Sequence, residues 1–445
     1  MTFAEKMDQY LERYCSLYKF SGMFRVTHKD QILYERNVGY ADIEHRVSFH
    51  KDSVFTLYSM SKPFCVIGLM VLADKGLVNI DERPGKYLPE VQDIDPRITI
   101  RHLMYHMSGL RDISQEKETY SYYKVQHCAN NREIVKRLVA CPMNFEPGKD
   151  TLYSNINFFI LALIIENVTG LRYADYMQQE VFAPLGMKHA QVDSLGKLVM
   201  NRVRGYDIQG DEIIGVERLN PDTFIGAGDV IATIDDVYCL NHAIKFKKLL
   251  KPKTWEQILT PSPISGFGLG CRVANWRGKT RIQHNGGSSG FRTLHVQLLE
   301  DDLDVILLSN FGFGESRGSL LNAVFAAFYG NQEANDEMGE MDKGYIREGY
   351  RILPEGFLPQ RKPAVCLSSE WESKLLGSYM FPGEDRPTTL TKEGDRYCIT
   401  AEGWQKLYCY PVSETVFASC YLDEAYKISQ NKNGTVLLDG RPKIG

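Results

Sequence analysis

Short alternating stretches occur at both ends of this chain's helical middle, a pattern that suggests a layered fold in which the two ends share one sheet. The stretch "GMFRVTHKDQILYERNVGYAD" alternates and breaks at Lys29-Asp30, which predicts a β-hairpin. From about 59 to 250 helical patterns dominate, punctuated by Pro and Gly in "DERPGKYLP", "FEPGKD" and "FAPLGM". Strands return from about 266 in "GFGLGCRV", "TRIQHNGG", "FRTLHVQLLE" and "DVILLSN", short apolar runs split by turn residues, which predict an antiparallel meander. The helix "SLLNAVFAAFYG" follows. The expected architecture is α+β, an antiparallel sheet flanked by helices, with the N-terminal hairpin joining the later meander.

Residues 333–364 are charged and weakly periodic, and read as a linker after a first domain over 1–332. Beyond it, 365–445 changes character. "LLGSYMF", "TTLTKEG", "RYCITA", "QKLYCYPV", "TVFAS" and "YKISQNKNGTVLL" are short runs rich in Thr, Tyr and Val, with a hairpin signal at Asn433-Gly434. They predict a small all-β domain, a barrel or sandwich.

With 43% hydrophobic and 24% charged residues among 445, the composition is that of an ordinary folded chain. A net charge of -4, with Lys and Arg spread along the sequence, gives no nucleic-acid footprint. Ten widely spaced cysteines show no zinc spacing or disulfide framework. The N-terminal "MTFAEKMDQYLERYCSLYKF" reads as an amphipathic helix broken by Lys6, Asp8 and Glu12, without the apolar centre of a signal peptide. The runs "FCVIGLMVLA" and "FFILALII" are too short to span a bilayer. The expectation is a cytoplasmic protein acting on a small molecule or short peptide, with no nucleic-acid or membrane partner. The sequence is silent on oligomeric state.

Ser-x-x-Lys occurs seven times, starting at Ser16, Ser48, Ser59, Ser114, Ser121, Ser194 and Ser429, so context has to choose among them. Only at Ser59 does the pair open a long, wholly apolar helix, with Pro63 tolerated in its first turn. Helical spacing brings Ser59 and Lys62 to one face, Cβ atoms roughly 5–6 Å apart. For Lys62 to act as a base, its pKa has to fall from about 10.4 towards 7, and burial against the apolar helix supplies the cause. The competing reading is a polar helix start.

Two further segments carry suitable groups. Tyr153 and Asn155 precede the apolar run of a second helix, where a phenol can shuttle a proton and an amide can hold both Lys62 and a substrate carbonyl. Y-x-N recurs at Tyr329, and taken alone it reads as a turn with a helix cap. In "RIQHNGGSSGF", His284 and Asn285 lead into Gly286-Gly287, and paired glycines let another backbone or a ligand approach closely. The plain alternative is a glycine-rich bend with an exposed histidine.

Together these segments resemble the serine β-lactamase and penicillin-recognising hydrolase superfamily, particularly its class C-like branch of β-lactamases, DD-peptidases, D-aminopeptidases and esterases. "ITIRHLMYHMSGL", "FEPGKDTLYSN", "FAPLGM", "GAGDVIATIDDV", "GFGLG" and "VILLSN" are similar to family stretches in the expected order, from about 20 to 330. The resemblance implies Ser59 as acylated nucleophile, Lys62 as its base and Tyr153 as proton shuttle or alternative base. It implies Asn155 as the residue orienting Lys62 and substrate, and the N–H groups of Ser59 and Gly287 as the oxyanion hole. His284 falls where family members often carry Lys, in a strand continuing through Gly286. No metal or organic cofactor is implied. The C-terminal domain resembles the lipocalin-like barrels appended to some members.

The departures are His284 and Asn285, which remove a fixed cation and a hydroxyl donor that usually hold a substrate carboxylate, and which resemble D-aminopeptidases and esterases of the branch. Asp229 in "GAGD" stands where a second Gly is common, and reads first as a surface turn, with a place near the pocket as the alternative. His102 and His106, four apart, are a conceivable metal pair without a third ligand, so structural roles are expected. The tyrosines of "ETYSYYKV" suit a pocket wall or an ordinary surface segment. The function expected is a serine hydrolase cleaving an amide or ester bond, with a scaffold protein that keeps the fold as the alternative.

Overall fold

Helices that are apolar on every side have no face to offer water and must lie at the centre of a layered fold. In the computed structural model, α1 (Ser61–Asp74) is buried at every position from Ser61 to Leu72, and α2 (Ile156–Thr169) from Ile156 to Ile165. Full burial of each Leu, Ile or Phe contributes roughly 1.5–3 kcal/mol, so these two helices form the main core. α2 stops at Gly170, whose φ of 69° provides the left-handed residue that ends a helix. The structure describes residues 1–116, 131–288, 290–312, 316–330, 357–380, 387–401, 406–423 and 425–444. The tyrosines of "ETYSYYKV" and the predicted linker up to residue 356 lie outside the described residues.

By contacts the chain forms two compact units. The first comprises Gly22–Gly205 and Glu217–Asn310. It holds six antiparallel strands: β1 (Gly22–His28), β2 (Gln31–Val38), β3 (Arg272–Trp276), β4 (Lys279–Ser288), β5 (Phe291–Leu298) and β6 (Leu303–Ser309), in the order β3-β4-β5-β6-β1-β2. The N-terminal hairpin joins the meander as expected, with Gly22 opposite Ser309 and Val26 opposite Val305. Lys29 and Asp30 both take positive φ, 51° and 59°, as a tight hairpin turn requires. The helix α3 (Ile234–Lys245) starts at Thr233, which forms a capping box with Asp236.

The middle of the chain is less purely helical than its pattern suggests. Phe55–Thr56, Val230–Ala232 and Gln191–Val192 form a three-stranded sheet with Val230–Ala232 at its centre. Strands of two or three residues are too short for alternation to register in a sequence. Among the described residues no single helix is long and apolar enough to cross a membrane.

The second unit comprises Met1–Ser21, Tyr206–Val216 and Phe311–Gly445. Its eight strands from Gly377–Tyr379 to Arg441–Ile444 close into a barrel, with Ser378 opposite Ile444 at the seam. That last strand was not among the expected runs. Around Gly434 (φ 78°), the Asn431 side chain accepts the N–H groups of Asn433 (3.0 Å) and Thr435 (2.9 Å), so the turn is longer than a two-residue hairpin. The N-terminal helix Phe3–Leu17 also belongs to this unit, where its Tyr10 hydroxyl donates to Ser319 O (3.2 Å) of the helix Ser316–Tyr329. A hairpin, Tyr206–Gln209 and Glu212–Gly215, meets the barrel: Gly210 N–H donates to Lys406 O (2.7 Å) and Asp211 takes two bonds from Arg396. The contact grouping thus cuts the chain differently from the sequence boundaries at 332 and 365.

Candidate active site

The chain leaves the short strand Phe55–Thr56 and reaches α1 through one 3-10 turn, Tyr58–Met60. The helix therefore begins at Ser61, and Ser59 stands just ahead of it rather than within its first turn. Tyr58 is held at φ 47°, a conformation that costs an ordinary residue about 1–3 kcal/mol and survives only where its surroundings impose it. They do so from two sides. Leu57 N–H donates to Val230 O (3.0 Å), and Leu57 O accepts the Thr293 hydroxyl of β5 (2.9 Å). Ser61 Oγ accepts Val230 N–H (2.9 Å).

Lys62 has no exposed surface, and its amine makes three contacts. Nζ lies 3.0 Å from Ser59 Oγ, 2.9 Å from Asn155 Oδ1 and 2.8 Å from Ala227 O. Two of these partners can only accept, and the third is a hydroxyl that can donate. The three acceptors match the N–H groups of an ammonium, and with the hydroxyl turned to donate, the same set also satisfies the two N–H groups and lone pair of a neutral amine. Burial pushes the Lys62 pKa down to about 7, opposed by the carboxylates of Asp112 and Asp229.

The loop before α2 brings Tyr153 alongside: its ring centre is 4.8 Å from Lys62 Nζ and it stacks on His106 at 4.4 Å. His106 Nδ1 accepts Ser154 N–H (3.1 Å), and burial, then the charge on Lys62, hold the imidazole neutral with a pKa well below its usual value. His102, by contrast, caps its own short helix by accepting Thr99 N–H (3.3 Å). The two histidines thus have separate structural tasks. Asp112 accepts the backbone N–H of Asn155 and the Ser154 hydroxyl (3.4 Å), which fixes the amide that holds Lys62.

On β4, His284 is buried, donating from Nδ1 to Asn285 O (2.7 Å). Burial, with the nearby Lys62 charge, drives its pKa well below the usual histidine value. It is a neutral ring and not the exposed histidine of the plain sequence alternative. Gly286 abuts the nucleophile's segment so closely that a Cβ there would sit 1.9 Å from Leu57 O. Gly287 is exposed, with the Arg292 side chain beside it.

Asp229 corrects the sequence reading. It is 1% exposed instead of lying in a surface turn, and the turn it ends, from Gly226, is held to the buried Lys62 through Ala227 O. Its Oδ2 accepts Gly226 N–H (2.8 Å), and burial raises its pKa to about 7. Asp112 and His106 were also missed as site residues. Asp112 carried one local signal, the capping-box pattern with Gln115, which says nothing of a distant asparagine. Among the described residues no group of three or more His, Cys, Asp or Glu is arranged to hold a metal.

The structure brings together Ser59, Lys62, Tyr153 and Asn155, and sets Gly286 against the same segment. A sequence model of the Beta-lactamase family matches residues 3–327. The chain is 25% identical over 428 residues to penicillin-binding protein 4* of Bacillus subtilis (strain 168), covering 90% of this chain and 88% of that one. It is 26% identical over 345 residues to a D-aminopeptidase of Cereibacter sphaeroides, covering 74% of this chain and 64% of the relative. The octameric penicillin-binding protein homologue from Pyrococcus abyssi superimposes over 99% of both chains, with a TM-score of 0.65 at 17% identity. A family match across most of the chain, on a fold shared from end to end, makes this protein a member of the Beta-lactamase family and a serine hydrolase of that fold.

Proposed function

We propose that the protein cleaves an amide or ester bond through a seryl acyl-enzyme. The observation that carries this reading is the Lys62 amine, fully buried, 3.0 Å from Ser59 Oγ and held there by Asn155 Oδ1 and Ala227 O. Ser59 Oγ attacks the carbonyl carbon while its proton passes to Lys62 Nζ, which lies within reach of a general base. The tetrahedral oxyanion accepts from the N–H groups of Ser59 and Gly287. Antiparallel alternation from the closing pair Ser288–Phe291 turns the Gly287 N–H to the edge of β4 that β3, pairing only as far as Gln283, leaves open. Tyr153, with Lys62, returns the proton to the leaving nitrogen or oxygen, and water then releases the acyl group from Ser59.

The neutral His284 narrows the substrate class. A fixed cation on this strand would hold a carboxylate next to the scissile bond, and the ring offers none. The reading therefore favours D-amino-acid amides, short D-peptides and small esters over β-lactams, in keeping with the D-aminopeptidases among the relatives.

The test is covalent labelling. The protein and its Ser59→Ala variant are incubated with a fluorophosphonate and weighed intact, then assayed on a p-nitrophenyl ester, a D-amino-acid anilide and a chromogenic cephalosporin. Labelling and turnover by the parent alone, with the ester or anilide ahead of the cephalosporin, are expected. An unlabelled parent without turnover would leave a scaffold protein.

A further inference from the structure

A cavity of about 480 Å3 lies in the first unit, with Asp229 in its wall. Ser59, Lys62, Tyr153, Asn155 and His284 do not line it, so it is distinct from the acylation site. Its charge is uneven. Arg172 is engaged by Asp175 through two bonds of 2.7 and 2.8 Å, and Asp193 is paired with Arg202 and Arg218. Three further lining carboxylates, Glu166, Asp222 and Asp229, have no ion pair among the described residues, against one exposed lysine, Lys197. Most telling is Asp229: it is 1% exposed, and its Oδ1 has no hydrogen-bond partner among the described residues. A buried acceptor left without a donor is unfavourable, more so when charged, and such an atom on a cavity wall points to a ligand that donates to it. Val192, Ile225 and Tyr173 add apolar surface to the same wall.

We propose that this cavity is a second ligand site that takes a small alkylammonium compound, its charged head on Asp229 in the field of Asp222 and Glu166, and its stem against Val192, Ile225 and Tyr173. The volume is ample for a ligand of that size. The site communicates with the lysine. Asp229 Oδ2 pins Gly226, and the carbonyl of the next residue, Ala227, accepts from Lys62 (2.8 Å). Lys62 also feels Asp112, Cys65, His106 and His284, while Asp229 faces Asp193, Cys65 and Tyr173. An ammonium head on Asp229 draws on the carboxylate that pins Gly226, and so shifts the turn whose Ala227 carbonyl is one of the three partners of the Lys62 amine. Occupancy therefore changes the rate of acylation at neutral pH. This consequence rests on the role given to Lys62 above, whereas binding itself does not.

The experiment is calorimetric titration of the full chain at neutral pH with n-butylamine and putrescine, and with n-butanol, butyrate and potassium chloride as neutral, anionic and inorganic controls. The amines bind and the controls do not. Asp222→Asn weakens amine binding about tenfold, leaves fluorophosphonate labelling of the ligand-free protein unchanged, and abolishes the effect of amine on labelling. Glu166→Gln is a second variant with the same expectation. Absence of amine binding, equal binding of butanol, butyrate or potassium, or full amine affinity in both variants overturns the site. Amine binding to a protein whose Ser59 does not label counts against the acylation mechanism and leaves the site standing. Amine binding with an unaltered labelling rate overturns the coupling.

Discussion

Only the unprotonated Lys62 amine can accept the Ser59 proton, and burial sets its pKa at about 7, so labelling should climb with pH through that value and level off above it. His106 and His284 titrate well below this range, while Asp229 shares it, so the midpoint belongs to the Lys62–Asp229 pair. Asp229→Asn removes the anion that favours the ammonium and should move the midpoint down. A flat rate between pH 6 and 9 would contradict this account. Asp112→Ala should cost about 1.5–3 kcal/mol in denaturant unfolding, the worth of hydrogen bonds to a buried charge, and slow labelling because Asn155 loses its anchor. An unchanged labelling rate would mean that Asn155 holds Lys62 unaided. At this scale Ser59, Lys62, Tyr153 and Asn155 were legible from residue type, spacing and family resemblance. Asp112, His106 and Asp229 were not, because each acts on a residue far away in sequence and their local patterns suit ordinary turns.

Among the elements, β4 meets the nucleophile's segment at Gly286, where a side chain would overlap both Leu57 O and, at 2.4 Å, the Thr293 hydroxyl. Gly286→Ala should push the Leu57–Met60 segment away by a fraction of an ångström or more, and a 1 Å misplacement can lower the rate about 10²-fold. Gly318→Ala, in a helix where a Cβ meets nothing within 4 Å, is the control that keeps full labelling. Equal rates for the two variants would show that close contact at Gly286 does not set the site. The long strands and wholly apolar helices could be read from periodicity. The short strand Val230–Ala232 could not, although it ties down Leu57, because three residues give no period. The start of α1 was misplaced for a related reason: Tyr58 at positive φ depends on bonds from Val230 and Thr293, not on its own preference.

For the whole molecule, cutting the chain after residue 330 should damage more than the barrel. Within the second unit, Lys19 N–H donates to Tyr421 O (2.8 Å), Gly210 N–H to Lys406 O (2.7 Å), and Arg361 to Leu17 O. The shortened protein should melt at a lower temperature and show faster amide exchange at residues 206–216, and unchanged exchange there would mean that the hairpin needs no barrel. The sequence by itself determined which segments bury apolar surface, that two runs of strands must pair, and which four side chains have the chemistry for acyl transfer, because these follow from residue type and local period. Tertiary structure decided what local pattern cannot encode: the dry surroundings that lower the Lys62 pKa, the burial of Asp229 beside a second cavity, and the company kept by the hairpin at 206–215. Each depends on desolvation or pairing between residues far apart in the chain, which exists only once the fold has closed around them.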